Sequence, residues 1–353
     1  MSDEETLTML SSEEIARLVA WMDAAGLPDA GAPVAVRPIA GGSQNEIFEI
    51  RRGDFHAALR KPPATAAAGR NEGILREWRI IEALDGTDVP CTKAYAVCTD
   101  PTVLGGTFYL MGFVDGWSPM AMRGQWPEPF NTDPQARRGL AFQLVEGVAR
   151  MAGVDWKAKG LTDLGRPDGF HDRQVDRWMA FYDRVKTREL PGMDVATQWL
   201  RTHRPLDFVP GIMHGDYQFA NVMYRHGAPA TLAAIIDWEM GTIGDPKLDL
   251  GWVVQSWPDS PTEHVDITYV DTRDMPSRAE MIDHFAKESG RQVDDMDYYV
   301  VLARWKLGVV LEQGYKSYLD GRGDDKLASF GPTVAELMQR AANFAESSDY
   351  PAV

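Results

Sequence analysis

Short apolar runs separated by turn-forming residues fill the first third of the chain. The run 55–61 ends at Pro62-Pro63, and the run 108–114 ends at Asp115-Gly116. Runs of this length with turn residues at their ends are typical of buried β-strands. The pattern therefore predicts strands at 34–39, 47–50, 55–61, 89–97 and 108–114.

Apolar residues at helical spacing dominate most of the remaining chain. In the segment 71–84, for example, Ile74, Trp78 and Ile81 recur every three or four positions. This spacing places apolar side chains on one face of a helix. Helices are predicted between Ser12 and Gly26 and at 71–84, 137–151, 168–186, 194–200, 304–318 and 333–344.

A second pair of short apolar runs, at 222–225 and 232–236, is joined by a turn that contains Gly and Pro. Such a pattern predicts a β-hairpin. Asn221 immediately precedes the first arm, and Asp237 immediately follows the second. Antiparallel pairing would bring both residues to one end of the hairpin, next to Asp216 in the preceding loop.

These three polar residues suit phosphoryl transfer from a nucleotide. A loop aspartate such as Asp216 can accept the proton of an attacking hydroxyl, while Asn221 and Asp237 can hold Mg²⁺ on the phosphates. Magnesium prefers oxygen ligands and keeps several waters, so one carboxylate and one amide oxygen suffice. The simpler interpretation is that Asp216 caps a turn and that Asp237 ends a strand.

The motifs around these residues resemble the aminoglycoside phosphotransferase family of small-molecule kinases. The resemblance rests on H-G-D-Y-Q-F-A-N at 214–221, on I-D-W-E at 236–239 and on G-D-P-x-x-D at 244–249. It implies that Asp216 is the catalytic base and that Asn221 and Asp237 bind magnesium. The chain is most similar to a kinase-like branch in which some members are fused to acyl-CoA dehydrogenases.

The resemblance also implies the fold class, which is α+β with a bilobal, protein-kinase-like architecture. A small N-terminal lobe with an antiparallel sheet would span residues 1–115, and a mostly helical C-terminal lobe would span residues 116–353. Asp249 would help to hold the catalytic loop, although an ordinary helix charge is an equal alternative.

The resemblance places a nucleotide between the lobes. It assigns nucleotide contacts to the glycine-rich loop, to a strand cation with its acidic helix partner, and to the connector between the lobes: Gly42, Ser43, Asn45, Arg60, Glu77, Met111 and Phe113. Gln44 and Ile47 depart from the family pattern of Ser and Thr in the glycine-rich loop.

Two adjacent cations end the strand 55–61. Side chains alternate between the two faces of a strand, so Arg60 and Lys61 point in opposite directions. By register, Arg60 takes the position that holds the phosphates and pairs with Glu77. The alternative interpretation is that both are solvated charges at a strand end.

Composition narrows the classes of partner. The chain of 353 residues has 36 basic and 52 acidic residues and a net charge of −16. This balance argues against nucleic acid or an anionic membrane as a partner. The sequence shows no export signal, no apolar run of membrane-spanning length and only two cysteines, so we expect a cytoplasmic protein.

The expected function is transfer of the γ-phosphoryl group of ATP, or GTP, with Mg²⁺ to a hydroxyl of a small-molecule acceptor. Phosphorylation of an aminoglycoside antibiotic is one alternative, favoured by the acidic segment 258–300. A nucleotide-binding pseudokinase is another, because the glycine-rich loop is atypical. A metal-dependent hydrolase would require more ligands than the sequence offers. The oligomeric state is not predicted.

Overall fold

The computed structural model describes residues 9–39, 45–63, 69–122, 124–257, 270–322 and 324–353. In these residues the N-terminal part forms a five-stranded antiparallel sheet with the strand order β1-β2-β3-β5-β4. Its strands are β1 (Val34–Pro38), β2 (Glu46–Arg52), β3 (Phe55–Lys61), β4 (Ala94–Cys98) and β5 (Phe108–Gly112). Three helices accompany this sheet: α1 (Ser12–Ala24), α2 (Arg70–Leu84) and α3 (Pro101–Leu104).

The C-terminal part is mostly helical within the same described residues. Its helices are α4 (Pro134–Gly153), α5 (Gln174–Val185), α6 (Met193–Thr202), α7 (Lys247–Val254), α8 (Arg278–Ser289), α9 (Met296–Leu319) and α10 (Phe330–Ser347). Two small antiparallel pairs lie among them, formed by β6 (Gly211–Met213) with β9 (Thr242–Gly244) and by β7 (Val222–Tyr224) with β8 (Leu232–Ile235). The predicted α+β fold class is therefore confirmed.

Two hydrophobic cores lie within the described residues. The smaller core lies between α1 and the sheet and contains Phe48, Ile50 and Phe108. The larger core runs from α2 through the helical part. Helix α2 therefore packs its apolar side chains into the same core as the C-terminal part, which stabilises the contact between the two parts.

A side chain of α2 ties the N-terminal part to the C-terminal part near the site. The guanidinium of Arg76 on α2 donates hydrogen bonds to the carbonyls of Leu164 (2.6 Å) and Gly241 (2.7 Å). After β5 the chain passes Gly116, where a Cβ would lie 2.5 Å from the carbonyl oxygen of Tyr224. The next residue, Trp117, donates its N–H to that carbonyl at 2.9 Å. The boundary between residues 115 and 116 stays a prediction.

Most predicted elements are present, with differences in their bounds. The strand predicted at 89–97 begins only at Ala94, and the helix predicted at 168–186 begins at Gln174 after a short 3₁₀ turn. The helix predicted at 304–318 begins earlier, at Met296. Helix α8 was missed because its segment was interpreted only as acidic. Ser277 and Glu280 form a capping box at its start, a local signal that could have revealed it.

No helix in the described ranges is both long enough and apolar enough to cross a membrane.

Candidate active site

The loop between β6 and β7 is held by a buried carboxylate on α7. Asp249 accepts hydrogen bonds from the backbone N–H groups of His214 (2.6 Å) and Gly215 (2.9 Å). Gly215 has a φ of 86°, and a Cβ there would lie 2.7 Å from the carbonyl oxygen of Met240. The loop therefore needs glycine at this position. Asp249 is a buried loop anchor, which excludes its interpretation as a solvated helix charge.

Asp216 is oriented by three side-chain donors. Its Oδ1 accepts from Gln218 Nε2 at 2.8 Å and from Trp252 Nε1 at 3.0 Å, and its Oδ2 accepts from Asn221 Nδ2 at 2.9 Å. Burial raises the pKa of Asp216, and hydrogen bonds to the ionised form oppose that rise. The result is a fixed carboxylate at the edge of a cavity.

The imidazole of His214 joins this loop to the second arm of the hairpin. Its Nε2 lies 2.8 Å from the carbonyl of Ile236, so this nitrogen must donate. Its Nδ1 lies 3.3 Å from the backbone nitrogen of Asp216.

The predicted hairpin is confirmed, and it brings Asn221 and Asp237 to one end. Val222 pairs with Ile235, and the N–H of Ile236 donates to the carbonyl of Asn221 at 2.9 Å. The Asn221 amide nitrogen is used on Asp216, so its Oδ1 is the atom suited to a metal. Asp237 has a φ of 65°, an unusual conformation for a residue other than glycine, which often marks a functional position.

A buried cation connects the sheet to the end of the hairpin. Arg60 Nε lies 2.8 Å from Glu77 Oε2, and its Nη2 lies 2.6 Å from Asp237 Oδ1. Lys61, on the other face of β3, pairs with Glu46 at 2.5 Å. Both cations are buried, so neither is a solvated strand-end charge. The predicted pairing of Arg60 with Glu77 is confirmed.

Carboxylates converge at the same place. Oxygen atoms of Glu77, Asp237 and Glu239 lie within 4.8 Å of one another. Burial raises the pKa of Glu239, and the charge of Asp237 raises it further. With the Asn221 amide oxygen nearby on the hairpin, this is a set of oxygen donors of the kind that Mg²⁺ prefers. The donors present therefore fit the predicted metal.

The structure describes only some of the residues that were predicted to contact the nucleotide. Met111 pairs with Ala58 within the sheet. Phe113 donates its N–H to the carbonyl of His56 at 3.4 Å, and its ring stacks on the imidazole of His56. Asn45 is buried beside Glu77 and Glu239 in a small cavity that α2 also lines. Gly42 and Ser43 lie outside the described residues.

A cavity of about 600 Å³ opens beside Asp216. Its wall is mostly apolar and includes Leu144, Trp178, Phe219, Trp257, Leu311 and Phe330. Of the described lining residues, two carry a charge, Asp216 and Lys306. A cavity of this size can hold a small organic molecule with one end against the Asp216 carboxylate.

Comparison with known sequences identifies the family to which this site belongs. The model of the phosphotransferase enzyme family matches residues 35–282, which contain all but the first residue of the sheet, the loop 214–221 and the hairpin. The chain belongs to the phosphotransferase enzyme family. The predicted family resemblance is thereby confirmed.

Relatives of this family member include a much longer protein and a protein of similar length. It is 26% identical over 309 residues to mouse acyl-CoA dehydrogenase family member 10, a match that covers 85% of this chain but only 28% of the mouse protein. A Ralstonia eutropha protein classed with the aminoglycoside phosphotransferases is 28% identical, with a TM-score of 0.81. That match covers 96% of this chain and 99% of the other.

A more distant structure shares the fold. Aminoglycoside phosphotransferase APH(4)-Ia, solved with ADP and hygromycin B, is 13% identical with a TM-score of 0.58. The match covers 96% of this chain and 99% of the APH(4)-Ia chain. The phosphotransferase family member described here therefore has the kinase-like architecture that its motifs predict.

Three residues at this site were not assigned a role from the sequence: Gln218, Trp252 and Lys306. Trp252 follows Asp249 by one helical turn on α7, and Lys306 lies in the middle of α9. Gln218 belongs to the central motif, so its position was the one available signal. Trp252 bonds Asp216, and Lys306 lines the same cavity as Asp216. Both positions depend on the packing of α7 and α9, which local sequence does not reveal.

Proposed function

We propose that this chain transfers the γ-phosphoryl group of ATP, or GTP, to a hydroxyl of a small-molecule acceptor. The observation that carries the proposal is the fixed orientation of Asp216 between three donors, at the end of a hairpin that also bears Asn221 and Asp237. Nucleotide binding is supported by the ADP present in the structurally similar APH(4)-Ia.

In the proposed reaction, Asp216 accepts the proton of the acceptor hydroxyl. The hydroxyl oxygen forms a bond to the γ-phosphorus while the bond to the β,γ-bridging oxygen breaks, so that the nucleoside diphosphate leaves. Arg60 supports the phosphates, and Glu77 fixes Arg60 from α2. Positioning and electrostatic stabilisation supply most of the rate in such reactions.

Magnesium would be held by the amide oxygen of Asn221 and the carboxylate of Asp237, and when bound it neutralises phosphate charge. Glu239 is close enough to contribute through water. Of the connector residues, Met111 and Phe113 are proposed to border the adenine. Asn45 is proposed to lie with Gly42 and Ser43 over the phosphates.

The experiment is a search for phosphoryl transfer by mass spectrometry. The protein is incubated with Mg²⁺, ATP or GTP and mixtures of small alcohols, and products that gain one phosphoryl group are sought together with the nucleoside diphosphate. Asp216→Asn should lower the rate by about 10²–10⁴-fold, the usual contribution of a general base. An exposed aspartate on α8 provides the matched control, Asp283→Asn.

Two outcomes would contradict the proposal. Equal rates in wild type and Asp216→Asn would remove Asp216 as the base. Tight binding of Mg·ATP without transfer to any alcohol would favour a nucleotide-binding pseudokinase instead. The intact hydrogen-bond network of Asp216 supports the kinase, because a protein that only binds nucleotide does not need an oriented base.

A further inference from the structure

The hydroxyl of a buried tyrosine meets the carboxylate that holds Arg60. Tyr109 lies on β5 and is 1% exposed. It is the cross-strand partner of Arg60 on β3, and the side chains of directly paired residues lie on one face of a sheet. The Tyr109 hydroxyl donates to Glu77 Oε2 at 3.0 Å, the same oxygen that lies 2.8 Å from Arg60 Nε. Three elements, β3, β5 and α2, therefore meet at one carboxylate.

The Tyr109 hydroxyl is fixed as a donor to Glu77. Burial raises the pKa of Tyr109 well above its ordinary value, so the hydroxyl stays protonated. Its ring packs against Trp78 of α2, with the two ring centres 5.9 Å apart. Glu77 is 2% exposed, and a buried carboxylate is costly unless donors satisfy its oxygens. Tyr109 supplies such a donor without adding a charge beside Arg60.

The position of Glu77 determines where the Arg60 guanidinium lies. Arg60 contacts both oxygens of Glu77, through Nε at 2.8 Å and through Nη2 at 3.4 Å. The same Nη2 lies 2.6 Å from Asp237 Oδ1 at the end of the hairpin. A guanidinium is planar, so two contacts with one carboxylate set its plane as well as its position. A shift of Glu77 would therefore move Arg60 relative to Asp237.

We propose that Tyr109 is a positioning residue for nucleotide binding, which fixes Glu77 so that Arg60 meets the phosphates beside Asp237. This proposal rests on the proposed kinase function of the same site. Tyr109 acts through Glu77 and does not itself contact the nucleotide. Its contribution should therefore appear in the binding of phosphates and not in the binding of the nucleoside alone.

The first experiment compares a nucleotide with its nucleoside by calorimetry. The probes are Mg·ATP and adenosine, with Mg·GTP and guanosine as a second pair. Tyr109→Phe removes only the donor to Glu77. We expect it to raise the Kd for the nucleotide about tenfold, because a hydrogen bond to a charged group is lost, and to leave the Kd for the nucleoside unchanged. The matched control, Tyr95→Phe, removes the same atom from β4, where Tyr95 packs against the smaller core, and should change neither value.

A double-mutant cycle tests whether Tyr109 acts through Glu77. Glu77→Gln keeps the shape of the side chain but removes the charge that holds Arg60. In that background Tyr109→Phe should raise the Kd for the nucleotide by no more than about twofold, because the contact that Tyr109 fixes is already weakened. Independent effects would multiply instead, and the double variant would bind about tenfold more weakly than Glu77→Gln. Thermal unfolding of each variant shows whether it is folded.

The outcomes separate this proposal from the proposed function. Equal weakening of nucleotide and nucleoside binding, unchanged nucleotide binding in Tyr109→Phe, or independent effects in the cycle would overturn the role of Tyr109, even where the wild type transfers a phosphoryl group. The predicted pattern without phosphoryl transfer to any alcohol would remove the kinase function and leave Tyr109 as a positioning residue of a nucleotide site. A wild type that binds neither nucleotide would overturn both proposals.

Discussion

At the scale of single residues, burial and hydrogen bonding have opposite effects on the pKa of Asp216. Burial raises the pKa of Asp216, while donors on the loop and on α7 stabilise its ionised form. The amide nitrogen of Asn221 fixes Asp216, which leaves its amide oxygen as the proposed magnesium ligand. Orientation of a carboxylate by neighbouring donors is what allows it to meet a hydroxyl in the productive geometry.

Trp252 is a positioning residue in this arrangement, and its removal should be measurable. In Trp252→Phe the aromatic face beside Lys306 is kept, but the donor to Asp216 Oδ1 at 3.0 Å is lost. A hydrogen bond to a charged group contributes about 1.5–3 kcal/mol, so we expect kcat to fall by roughly tenfold or more. The KM for ATP should stay constant, because Trp252 lines the cavity beside Asp216 and not the predicted nucleotide site. A fall in nucleotide affinity with unchanged kcat would contradict this role.

At the scale of elements, α7 holds the loop 214–221 through one carboxylate. Asp249 accepts from two successive backbone N–H groups of the loop, one in a buried and one in a partly buried hydrogen bond. The strand pairing of the hairpin in turn brings Asn221 and Asp237 to one end. The loop and the hairpin are thus fixed by different neighbours and meet at Asp216.

Asp249→Asn should loosen the loop. An amide has one acceptor oxygen, so its NH₂ group would oppose one backbone donor inside the protein. We expect the free energy of unfolding to fall by about 1–3 kcal/mol, measured by urea denaturation, and kcat to fall with it. Asp283→Asn on the surface of α8 should change stability by no more than about 0.5 kcal/mol. An equal effect of the two substitutions would show that Asp249 does not anchor the loop.

The hairpin and its three polar residues were predictable because their signals are local. Strand-length apolar runs, a turn and fixed spacing determine which side chains share one end of a hairpin. Register on β3 likewise separated Arg60 from Lys61. Contacts made by Trp252 and Lys306 were not predictable, because they depend on how α7 and α9 pack across the loop. The acidity of the segment around α8 concealed a helix whose capping box was visible in the sequence.

At the scale of the whole molecule, the net charge of the chain differs from the charge of the cavity wall beside Asp216. The chain carries a net charge of −16, yet the described wall of the cavity beside Asp216 contains one carboxylate and one lysine. The acidity of the whole chain is therefore not the charge of this cavity. The chain spans only 28% of the length of its mouse relative.

The buried Lys306 should also make the free energy of unfolding depend on pH. The folded pKa of Lys306 is about 8, against an ordinary value of 10.5, so the unfolded chain binds more protons between these pH values. The free energy of unfolding of the wild type should therefore rise with pH across this window relative to Lys306→Met. Urea denaturation of both proteins over this range measures the difference. Parallel curves would contradict the shifted pKa.

We propose that this family member binds a magnesium nucleotide at the end of the hairpin. The most direct test is thermal unfolding with ATP, with and without Mg²⁺, for the wild type, Asp237→Ala and the surface control Asp283→Ala. A ligand that binds only the folded state raises the unfolding temperature. We predict a magnesium-dependent increase in the wild type and the control that is lost in Asp237→Ala. The absence of a shift in the wild type, or its full retention in Asp237→Ala, would contradict the account.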